Sequence, residues 1–311
     1  MARDFEAELG EHRPDLLRHC YRMLGAFADA EDVVQDVLAN AWKSRASFSG
    51  DVPIRHWLMR MATNACLNEL GRRKRRTLPQ LEREAATSFD VLEEVEASTW
   101  ITPAPDSRLF GAAPVLEARE TVALAFIALL QRLPPRQRAA LLLKDVVGFS
   151  TDEIATALET TVPSIESALH RAREGIALPR PTSSSRNEPS ASTLRAYVRS
   201  WEERDLDTLV GLLKDDAVFA MPPHSVWVRG SSVGDFFRSP KLAPFWARTT
   251  RVLETRANDG VALAFYTLDG DTFVRHSVQL ARFDGDRLAE GIQFIGARYL
   301  EGFDVPERFA R

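Results

Sequence analysis

Apolar residues recur at helical spacing from Phe5 to about Arg76, and this stretch contains no alternation of the kind that marks a strand. The helical period is lost over residues 77–116, where prolines and small polar residues collect, and it returns from Glu117 to about Leu178. Residues 179–190 are again rich in proline and serine, a composition that cannot build a core. The pattern predicts two all-α domains, residues 1–76 and 117–178, each followed by a linker.

Beyond the second linker the pattern changes from helices alone to helices and strands. Stretches rich in β-branched and aromatic residues favour strands, and Asp269-Gly270-Asp271 between two of them is a good hairpin turn. Residues 191–311 are therefore predicted to form an α+β domain with a curved sheet. The predicted elements are helices near Ser192–Glu203 and Leu206–Leu213, and strands at Val261–Leu268, at Phe273–Phe283 and from after Asp286 to near Tyr299.

The segment Asp29–Trp42 has one apolar side and one acidic and polar side, as an amphipathic helix does. The apolar stripe consists of Val33, Val34, Val37, Leu38, Ala41 and Trp42. Acidic residues in the first turn also favour the positive end of the helix dipole, which contributes roughly 0.3 to 1 kcal/mol each. The acidic side is thus either a contact surface or a well-capped helix start.

A second amphipathic helix is predicted from Ile54 to Arg76, and one flank of it carries Trp57, Arg60, Asn64 and Asn68. The helix ends in an unbroken basic block, Arg72-Arg73-Lys74-Arg75-Arg76. Cations collect phosphates, amides bond base edges and aromatic rings support unstacked bases, so the flank and the block indicate nucleic-acid binding. The alternative is a solvated helix end whose cations suit the C-terminal dipole. Gly71 should kink or fray this helix, because glycine costs about 1 kcal/mol relative to alanine.

A helix-turn-helix is predicted near residue 150. Ser150-Thr-Asp-Glu153 is a capping-box sequence, a short turn follows at Glu159–Thr161, and a second helix runs from Val162 to about Gly175. Helix, short turn and helix at this scale suit a reader of the DNA major groove, although a purely structural helical hairpin has the same pattern. The outward residues that could bond DNA include Ser164, Ser167, His170 and Arg171.

Composition narrows the function classes. The chain has 311 residues and a net charge of −4, which argues against a protein that coats nucleic acid along its whole length. Its two cysteines, Cys20 and Cys66, are expected to be reduced core residues, and the six histidines lack metal-ligand spacing, so we expect no metal, no catalytic residue and no cofactor. The chain lacks a long apolar run and a secretory start, so a cytoplasmic protein with no membrane partner is expected.

Four motifs in order identify a resemblance that none of them carries alone. They are Asp29-Ala-Glu-Asp-Val-Val-Gln-Asp-Val-Leu, Trp57-Leu-Met-Arg-Met-Ala-Thr-Asn-Ala-Cys-Leu-Asn-Glu-Leu, Leu133-Pro-Pro-Arg-Gln-Arg and Ser167-Ala-Leu-His-Arg-Ala-Arg. Over about the first 178 residues the chain resembles the extracytoplasmic-function (ECF) sigma factors. The resemblance implies a non-enzymatic factor that binds the clamp helices of RNA polymerase core and directs promoter recognition and transcription initiation.

The same resemblance assigns roles to the two helical domains. Residues 1–76 would correspond to sigma region 2, which binds core and the minus-ten element, and Asp32, Gln35 and Asp36 are the expected core contacts. Residues 117–178 would correspond to region 4, the helix-turn-helix that reads the minus-thirty-five element. Glu166 and Ala168 stand where the family often has Lys and Arg, which puts the phosphate contacts of that helix in doubt.

Residues 188–311 look like the SnoaL-like domain that some of these factors carry in cis, a conical sheet with a helix-lined pocket. The stretches Asp215-Asp-Ala-Val-Phe-Ala-Met-Pro-Pro and Trp227-Val-Arg-Gly230 carry this likeness, and Trp100-Ile-Thr-Pro103 resembles a linker motif that meets the extra domain. The resemblance implies that this domain modulates the sigma factor and could hold an unidentified small ligand. Two alternatives stay open: a SnoaL-like enzyme with Asp216, His224 or His276 as acid-base groups, and a DNA-binding repressor.

Overall fold

The computed structural model describes residues 2–73, 75–89, 92–111, 122–176 and 188–311, and the chain divides into two compact units. The first unit combines Met1–Arg76 with Arg108–Arg180. The second combines Thr77–Ser107 with Pro181–Arg311. Both predicted helical domains therefore belong to one compact unit, and much of the first predicted linker belongs with the C-terminal domain.

The N-terminal part of the first unit is helical, as predicted. Helix α2 is central to it: every residue from Leu16 to Leu24 is buried, because α3, α4 and two later helices pack around it. Both cysteines are buried in this core, and burial raises the pKa of the Cys66 thiol. The helices are α1 (Ala2–Glu11), α2 (Arg13–Leu24), α3 (Phe27–Lys43) and α4 (Ile54–Leu70).

The prediction that α4 continues to Arg76 is wrong, because the helix ends at Leu70. Gly71 follows as its cap and donates its N–H to the Leu67 carbonyl at 3.0 Å. Glycine is about 1 kcal/mol less favourable than alanine inside a helix. The helix therefore ends at this point and does not continue with a kink. Arg72, Arg73, Arg75 and Arg76 therefore lie beyond the helix, and Lys74 lies outside the described residues.

Short helices interrupt the segment that the sequence predicts to be a linker, namely α5 (Pro79–Glu82) and α6 (Asp106–Phe110). The second half of the first unit then contains α7 (Leu124–Gln131), α8 (Pro135–Leu142), α9 (Thr151–Ala157) and α10 (Val162–Ile176). A π-helical turn, Leu143–Val147, joins α8 to the loop before α9. The helix-turn-helix prediction is confirmed by α9 and α10. The predicted start of this helical domain at Glu117 and its predicted end at Leu178 lie outside the described residues.

The second unit is an α+β domain, as predicted, built on one seven-stranded sheet in the order β2-β1-β6-β5-β4-β3, with β7 paired to β5. Strands β1 and β6 are parallel, and the other pairs are antiparallel. The helices are α11 (Ala191–Glu203), α12 (Leu206–Gly211), α13 (Ser231–Phe237) and α14 (Ala243–Trp246), and the strands are β1 (Leu213–Ala220), β2 (Trp227–Arg229), β3 (Thr250–Ala257), β4 (Gly260–Asp269), β5 (Thr272–Asp284), β6 (Arg287–Ile295) and β7 (Arg308–Ala310).

The predicted hairpin is the turn between β4 and β5. Asp269 pairs with Thr272, and Gly270 takes a φ of +59° that favours glycine at this position. Two register shifts, at Phe265/Tyr266 and at Arg282/Phe283, interrupt the ladders of β5. Such bulges bend a strand and increase its twist, as the predicted curved sheet requires.

An aromatic core fills the space between this sheet and its helices. Trp201 of α11 is central to it and stacks on Trp246 with ring centroids 5.3 Å apart. The same indole meets Phe237 at 5.4 Å and Phe265 at 5.2 Å, both edge to face. Aromatic contacts of this geometry add to the burial of apolar area, so the C-terminal domain has a large core of its own.

Candidate nucleic-acid and protein interfaces

The acidic side of α3 is a solvent-facing surface. Asp32, Gln35 and Asp36 are exposed, opposite a buried stripe. That stripe consists of Phe27, Ala30, Val34, Val37 and Ala41, whereas Val33, Leu38 and Trp42 of the predicted stripe are half-buried. Burial thus leaves the three residues expected to bind polymerase accessible on one face of one helix.

Asp29, at the start of the same helix, has a different environment. Its carboxylate accepts from Arg73, and it forms an ion pair with Arg76 at 2.7 Å. Arg76 is buried to 8% exposure and also donates to the Leu24 carbonyl at 3.3 Å. Asp29 therefore holds the chain end of the N-terminal domain rather than facing a partner.

Two residues of the predicted DNA-binding basic block have carboxylate partners in the protein itself. Arg73 also pairs with Glu69 at 2.5 Å, so Arg73 and Arg76 are engaged within the protein. The sequence shows five consecutive cations but not the carboxylates that the fold brings to them. Arg72 and Arg75 are exposed.

The flank of α4 presents mixed chemistry as predicted. Arg60 and Asn68 are exposed, while Trp57 and Asn64 are half-buried. Trp57 packs on Phe48 with ring centroids 5.0 Å apart, and Phe48 in turn lies 6.4 Å from Phe5. The structure thus brings the four predicted side chains and an aromatic neighbour from the preceding loop together on one surface.

Sequence reasoning missed the extent of this aromatic surface. Phe5 also lies 6.4 Å from Trp42, and the guanidinium of Arg45 stands 4.6 Å above the Trp42 ring. Phe5, Trp42 and Phe48 come from three different elements, so no single helical pattern groups them. Such half-buried rings with a cation can stack on unpaired bases.

The helix-turn-helix has the predicted cap. The Glu153 N–H donates to Ser150 Oγ at 3.2 Å, and the Ser150 N–H donates to Glu153 Oε2 at 2.7 Å. The hydrogen bond from the Ser150 backbone is the main cause of a lowered pKa of the Glu153 carboxyl, and the Ser150 side chain adds to it. On α10 the outward residues Ser164, Ser167, His170 and Arg171 are exposed as predicted.

Three of these outward residues pair within their own helix. Arg171 donates to Ser167 Oγ at 2.6 Å, and His170 lies 3.4 Å from Glu174. Glu166 is exposed on the same helix. The face is polar and mixed in charge, so it offers donors for base edges but a weak attraction for phosphate.

A buried polar junction joins the two helical parts of the first unit. Gln131 of α7 donates to the Arg22 carbonyl at 3.1 Å, and Arg138 of α8 donates to the Met23 carbonyl. Arg138 is 2% exposed and also donates to the Leu133 carbonyl at 3.0 Å. Burial lowers the pKa of Arg138 to about 10. The Leu133-Pro-Pro-Arg-Gln-Arg motif thus ends in the residue that holds this junction.

The α4 flank also meets the helix-turn-helix inside this unit. His56 Nδ1 lies 3.0 Å from Glu153 Oε1, and Arg60 lies 3.6 Å from the Glu159 carboxylate. The Asn64 amide donates to the Ala157 carbonyl at 3.5 Å. The predicted DNA-binding flank and the start of the helix-turn-helix therefore share a polar interface.

In the second unit, the segment Thr77–Ser107 is bound to the C-terminal domain. Trp100 is 2% exposed and its indole N–H donates to the Pro223 carbonyl at 3.1 Å. Backbone hydrogen bonds run from Ser225 to Glu93 at 2.9 Å and from Ala86 to Trp227 at 2.8 Å. The expectation that the Trp100 motif meets the extra domain agrees with these contacts.

The interior of the C-terminal domain holds a strip of polar side chains. Ser277, Gln279 and Gln293 are buried on adjacent strands β5 and β6, where Tyr197 donates to Gln279 Oε1 at 2.8 Å and Gln293 donates to Ser277 Oγ at 2.7 Å. Among the described residues, no partner is found for Gln279 Nε2 or Gln293 Oε1. Free donors and acceptors inside a core are costly, so this strip could take a small polar group.

The residues considered for acid-base chemistry lie in different settings. Asp216 is exposed on β1, whereas His276 bonds Ser277 Oγ at 2.9 Å and its pKa is lowered to about 4 by burial and by Arg248. Burial also lowers the pKa of His224, next to Glu94. In the described ranges, no cluster of His, Cys, Asp or Glu suits a metal ion, and no helix is long and apolar enough to cross a membrane.

Comparison with known proteins defines the class to which these two helical parts belong. Residues 9–76 match the family model of sigma-70 region 2, and residues 123–174 match that of sigma-70 region 4. Along 98% of its length the chain is 36% identical to the ECF RNA polymerase sigma factor SigG of Mycobacterium tuberculosis, of which it covers 84%. The chain belongs to the ECF sigma factor family, whose members are not enzymes.

One solved structure has the same fold over nearly the whole chain. The crystal structure of the Mycobacterium tuberculosis ECF sigma factor SigJ has a TM-score of 0.56 at 22% identity, with 98% of this chain and 100% of that chain covered. Part of the chain, 34% of its length, is similar to a SnoaL-like protein from Burkholderia thailandensis at a TM-score of 0.28 and 18% identity, covering 92% of that protein. Below, region 2 means residues 9–76 and region 4 means residues 123–174.

Proposed function

We propose that this chain is a sigma subunit that binds RNA polymerase core and directs it to promoters in the cytoplasm, modulated in cis by its C-terminal domain. The observation that carries the proposal is the match to both sigma-70 regions in one chain. An RNA polymerase sigma factor similar over nearly the whole length supports it. The chain acts through binding surfaces and not as a catalyst.

The acidic face of α3 is the proposed contact with the clamp helices of core. Asp32, Gln35 and Asp36 are exposed together, and the stability of α3 does not depend on them because its buried stripe lies opposite. Exposed carboxylates steer association with a basic partner surface. Asp29 is left out of this contact because it pairs with Arg73 and Arg76.

The proposed promoter surface is the flank Trp57, Arg60, Asn64 and Asn68, together with the loop from Phe48 to Pro53. Extruding a base costs a few kcal/mol, which an aromatic and amide surface can offset by stacking and hydrogen bonds. Arg72 and Arg75 would contact phosphates nearby. The outward face of α10, with Ser164, Ser167, His170 and Arg171, is the proposed contact with the upstream element.

The C-terminal domain is the proposed modulator. It binds the segment between regions 2 and 4 through Trp100 and a series of backbone hydrogen bonds. A domain that restrains this segment changes how far the two regions can separate. The buried strip with Gln279 and Gln293 supports an unidentified small ligand with both a donor and an acceptor.

In vitro transcription with bacterial polymerase core on a random promoter library tests the proposal. We expect specific transcripts only when the full chain is added. Charge reversal at Asp32→Lys and Asp36→Lys should abolish capture of core, and Asn64→Ala with Asn68→Ala should reduce permanganate reactivity of the opened strand. DNA binding without transcription would instead indicate a repressor, and normal core capture by the reversed variant would remove α3 from the interface.

A further inference from the structure

Two glutamines of the buried polar strip lie directly opposite each other in the sheet of the C-terminal domain. Gln279 of β5 and Gln293 of β6 are in register, and side chains at such positions have Cβ atoms about 4.5–5.5 Å apart. Gln279 is fully buried and Gln293 is 5% exposed. In the described part of the chain, Gln279 Nε2 and Gln293 Oε1 have no partner. The strip therefore holds a free donor and a free acceptor on neighbouring side chains.

A bulge in β5 adds a histidine to this strip. The ladder with β4 shifts register just after the pair Phe265 and Ser277, so His276 has no opposite residue. Bulges of this kind re-aim side chains. His276 Nδ1 lies 2.9 Å from Ser277 Oγ, and its ring lies 5.5 Å from the ring of Phe245 in α14. The strip thus extends from the two glutamines to the imidazole.

The surroundings of the free groups are uncharged and aromatic. Tyr197 and Ser277 are the hydrogen-bond partners of the two glutamines, and burial lowers the pKa of His276 to about 4, so its imidazole is neutral at pH 7. Burying a carboxylate without a cation is costly, and none of these groups is a cation. The ring of Trp201 lies 6.2 Å from Tyr197 and 5.2 Å from Phe265. This chemistry favours an uncharged ligand with a planar apolar body.

We infer that the strip binds an uncharged planar lactam, a ring whose adjacent C=O and N–H groups meet Gln279 Nε2 and Gln293 Oε1. An amide locked cis in a ring places an acceptor and a donor side by side on one edge, and the two opposite glutamines complement that edge. The inference rests on the small ligand that is proposed for the C-terminal domain, and it names the chemical class of that ligand.

The free groups are enclosed, so a ligand reaches them by displacing a covering element. The short helix α14 covers the His276 end of the strip. Its residues Phe245 and Trp246 are half-buried, whereas Ala247 and Arg248, which follow, are exposed. Exposed short elements open at a lower free-energy cost than core strands. This end of the strip is therefore the expected point of entry.

Calorimetric titration of the full chain with two isosteric probes tests the inference. Isocarbostyril is a planar lactam, and isocoumarin has the same fused rings with an oxygen in place of the N–H. We expect the lactam to bind about five- to 150-fold more tightly, because isocoumarin leaves the Gln293 acceptor without a donor. In Gln293→Met this preference should fall to about twofold or less, because the acceptor is gone. Ser277 keeps His276 as a partner in that variant.

The same substitution at another glutamine of this unit provides the control. Gln80 of α5 is half-buried, and its Oε1 also lacks a partner among the residues that the structure describes. Gln80→Met should therefore keep the full preference for the lactam. If Gln293→Met does not fold, the unmodified chain still gives the comparison, because the tighter probe raises the urea midpoint of the C-terminal unit more.

Three outcomes would overturn the inference: no binding of isocarbostyril, equal binding of the two probes, or a preference for the lactam that survives Gln293→Met. The titration needs neither polymerase nor promoter DNA. A chain that binds the lactam as expected but fails in transcription would therefore refute only the proposed function.

Discussion

Two junctions in this chain are built from different chemistry. The segment Thr77–Ser107 is held on the C-terminal domain by backbone hydrogen bonds and by the buried indole of Trp100. Region 4 is held on region 2 by the packing of α7 and α8 on α2 and by the buried side chains of Arg138 and Gln131, which donate to carbonyls of α2. The first junction is made largely by backbone groups, and the second by packed helices with buried polar side chains.

The difference teaches which parts should move together. Separating the first junction would leave backbone groups and a large aromatic ring exposed, which is costly. Separating the second would expose the face of α2 on which α7 and α8 pack, together with charged and amide groups that water solvates well. We therefore expect the segment between regions 2 and 4 to stay with the C-terminal domain when the two regions come apart.

The largest effect is expected at Trp100. Trp100→Ala should destabilise the C-terminal unit by about 3–5 kcal/mol, because it removes a fully buried indole and its hydrogen bond. Urea unfolding, monitored by hydrogen exchange of the backbone amides of β4 and β5, measures the loss of stability. Trp57→Ala serves as the control, since Trp57 is half-buried in the first unit. Equal protection of β4 and β5 in both variants would show that the segment is only loosely attached.

Arg138→Met should have the next largest effect. It leaves the Met23 and Leu133 carbonyls without their donor, which should destabilise the first unit by about 2–3 kcal/mol. Arg136→Met, on the same helix but exposed, should stay within about 0.5 kcal/mol. Urea unfolding of both variants decides the matter. An Arg138 variant as stable as its neighbour would mean that the junction is held by packing alone.

The sequence predicts what is local and misses what is long-range. The amphipathic α3, the Ser150 capping box and the β4–β5 turn follow from short spacings, and the structure confirms each. The pairing of Asp29 with Arg76, the burial of Arg138 and the attachment of Trp100 join residues that are far apart in the chain. From the sequence alone, a basic block or a proline-rich stretch is therefore predicted to be exposed to solvent. Its partners become visible only in the folded structure.

A pH dependence should distinguish the two units. His19 of α2 is buried with Nε2 2.9 Å from Thr63 Oγ1, and burial, with Arg22 and Arg55, lowers its pKa to about 3. The unfolded chain takes up this proton near pH 6.5, so the stabilisation is complete above that pH and is lost as pH falls toward 3. Between pH 7 and 5 the first unit should lose about 2 kcal/mol.

Urea unfolding of the first unit at both pH values tests this, with His19→Gln expected to flatten the dependence. His276→Gln is the matched variant in the other unit, where burial and Arg248 lower the pKa of His276 to about 4. It should flatten only the response of the C-terminal unit. A first unit whose stability is unchanged by His19→Gln at pH 5 relative to pH 7 would contradict the assignment.

The smallest loss of stability is expected for a change at Asp29, which binds Arg76 at the boundary between the first unit and the segment Thr77–Ser107. Arg76 is the last residue of the first unit before the segment that belongs to the second, and Asp29 holds it at 2.7 Å. Asp29→Asn should cost about 1–2 kcal/mol, because Arg76 is buried and loses its charged partner. Asp32→Asn and Asp36→Asn, on the exposed side of the same helix, should each cost less than about 0.5 kcal/mol.

Thermal or urea unfolding of these three variants makes the comparison within one helix and one kind of substitution. If Asp29 anchors the chain, its variant should also increase hydrogen exchange at Thr77 and Ile101, whose backbone groups bond each other at 3.0 Å just past the anchor. If all three variants cost the same, Asp29 acts only through the dipole of α3. In that case Arg76 is held by the Leu24 carbonyl.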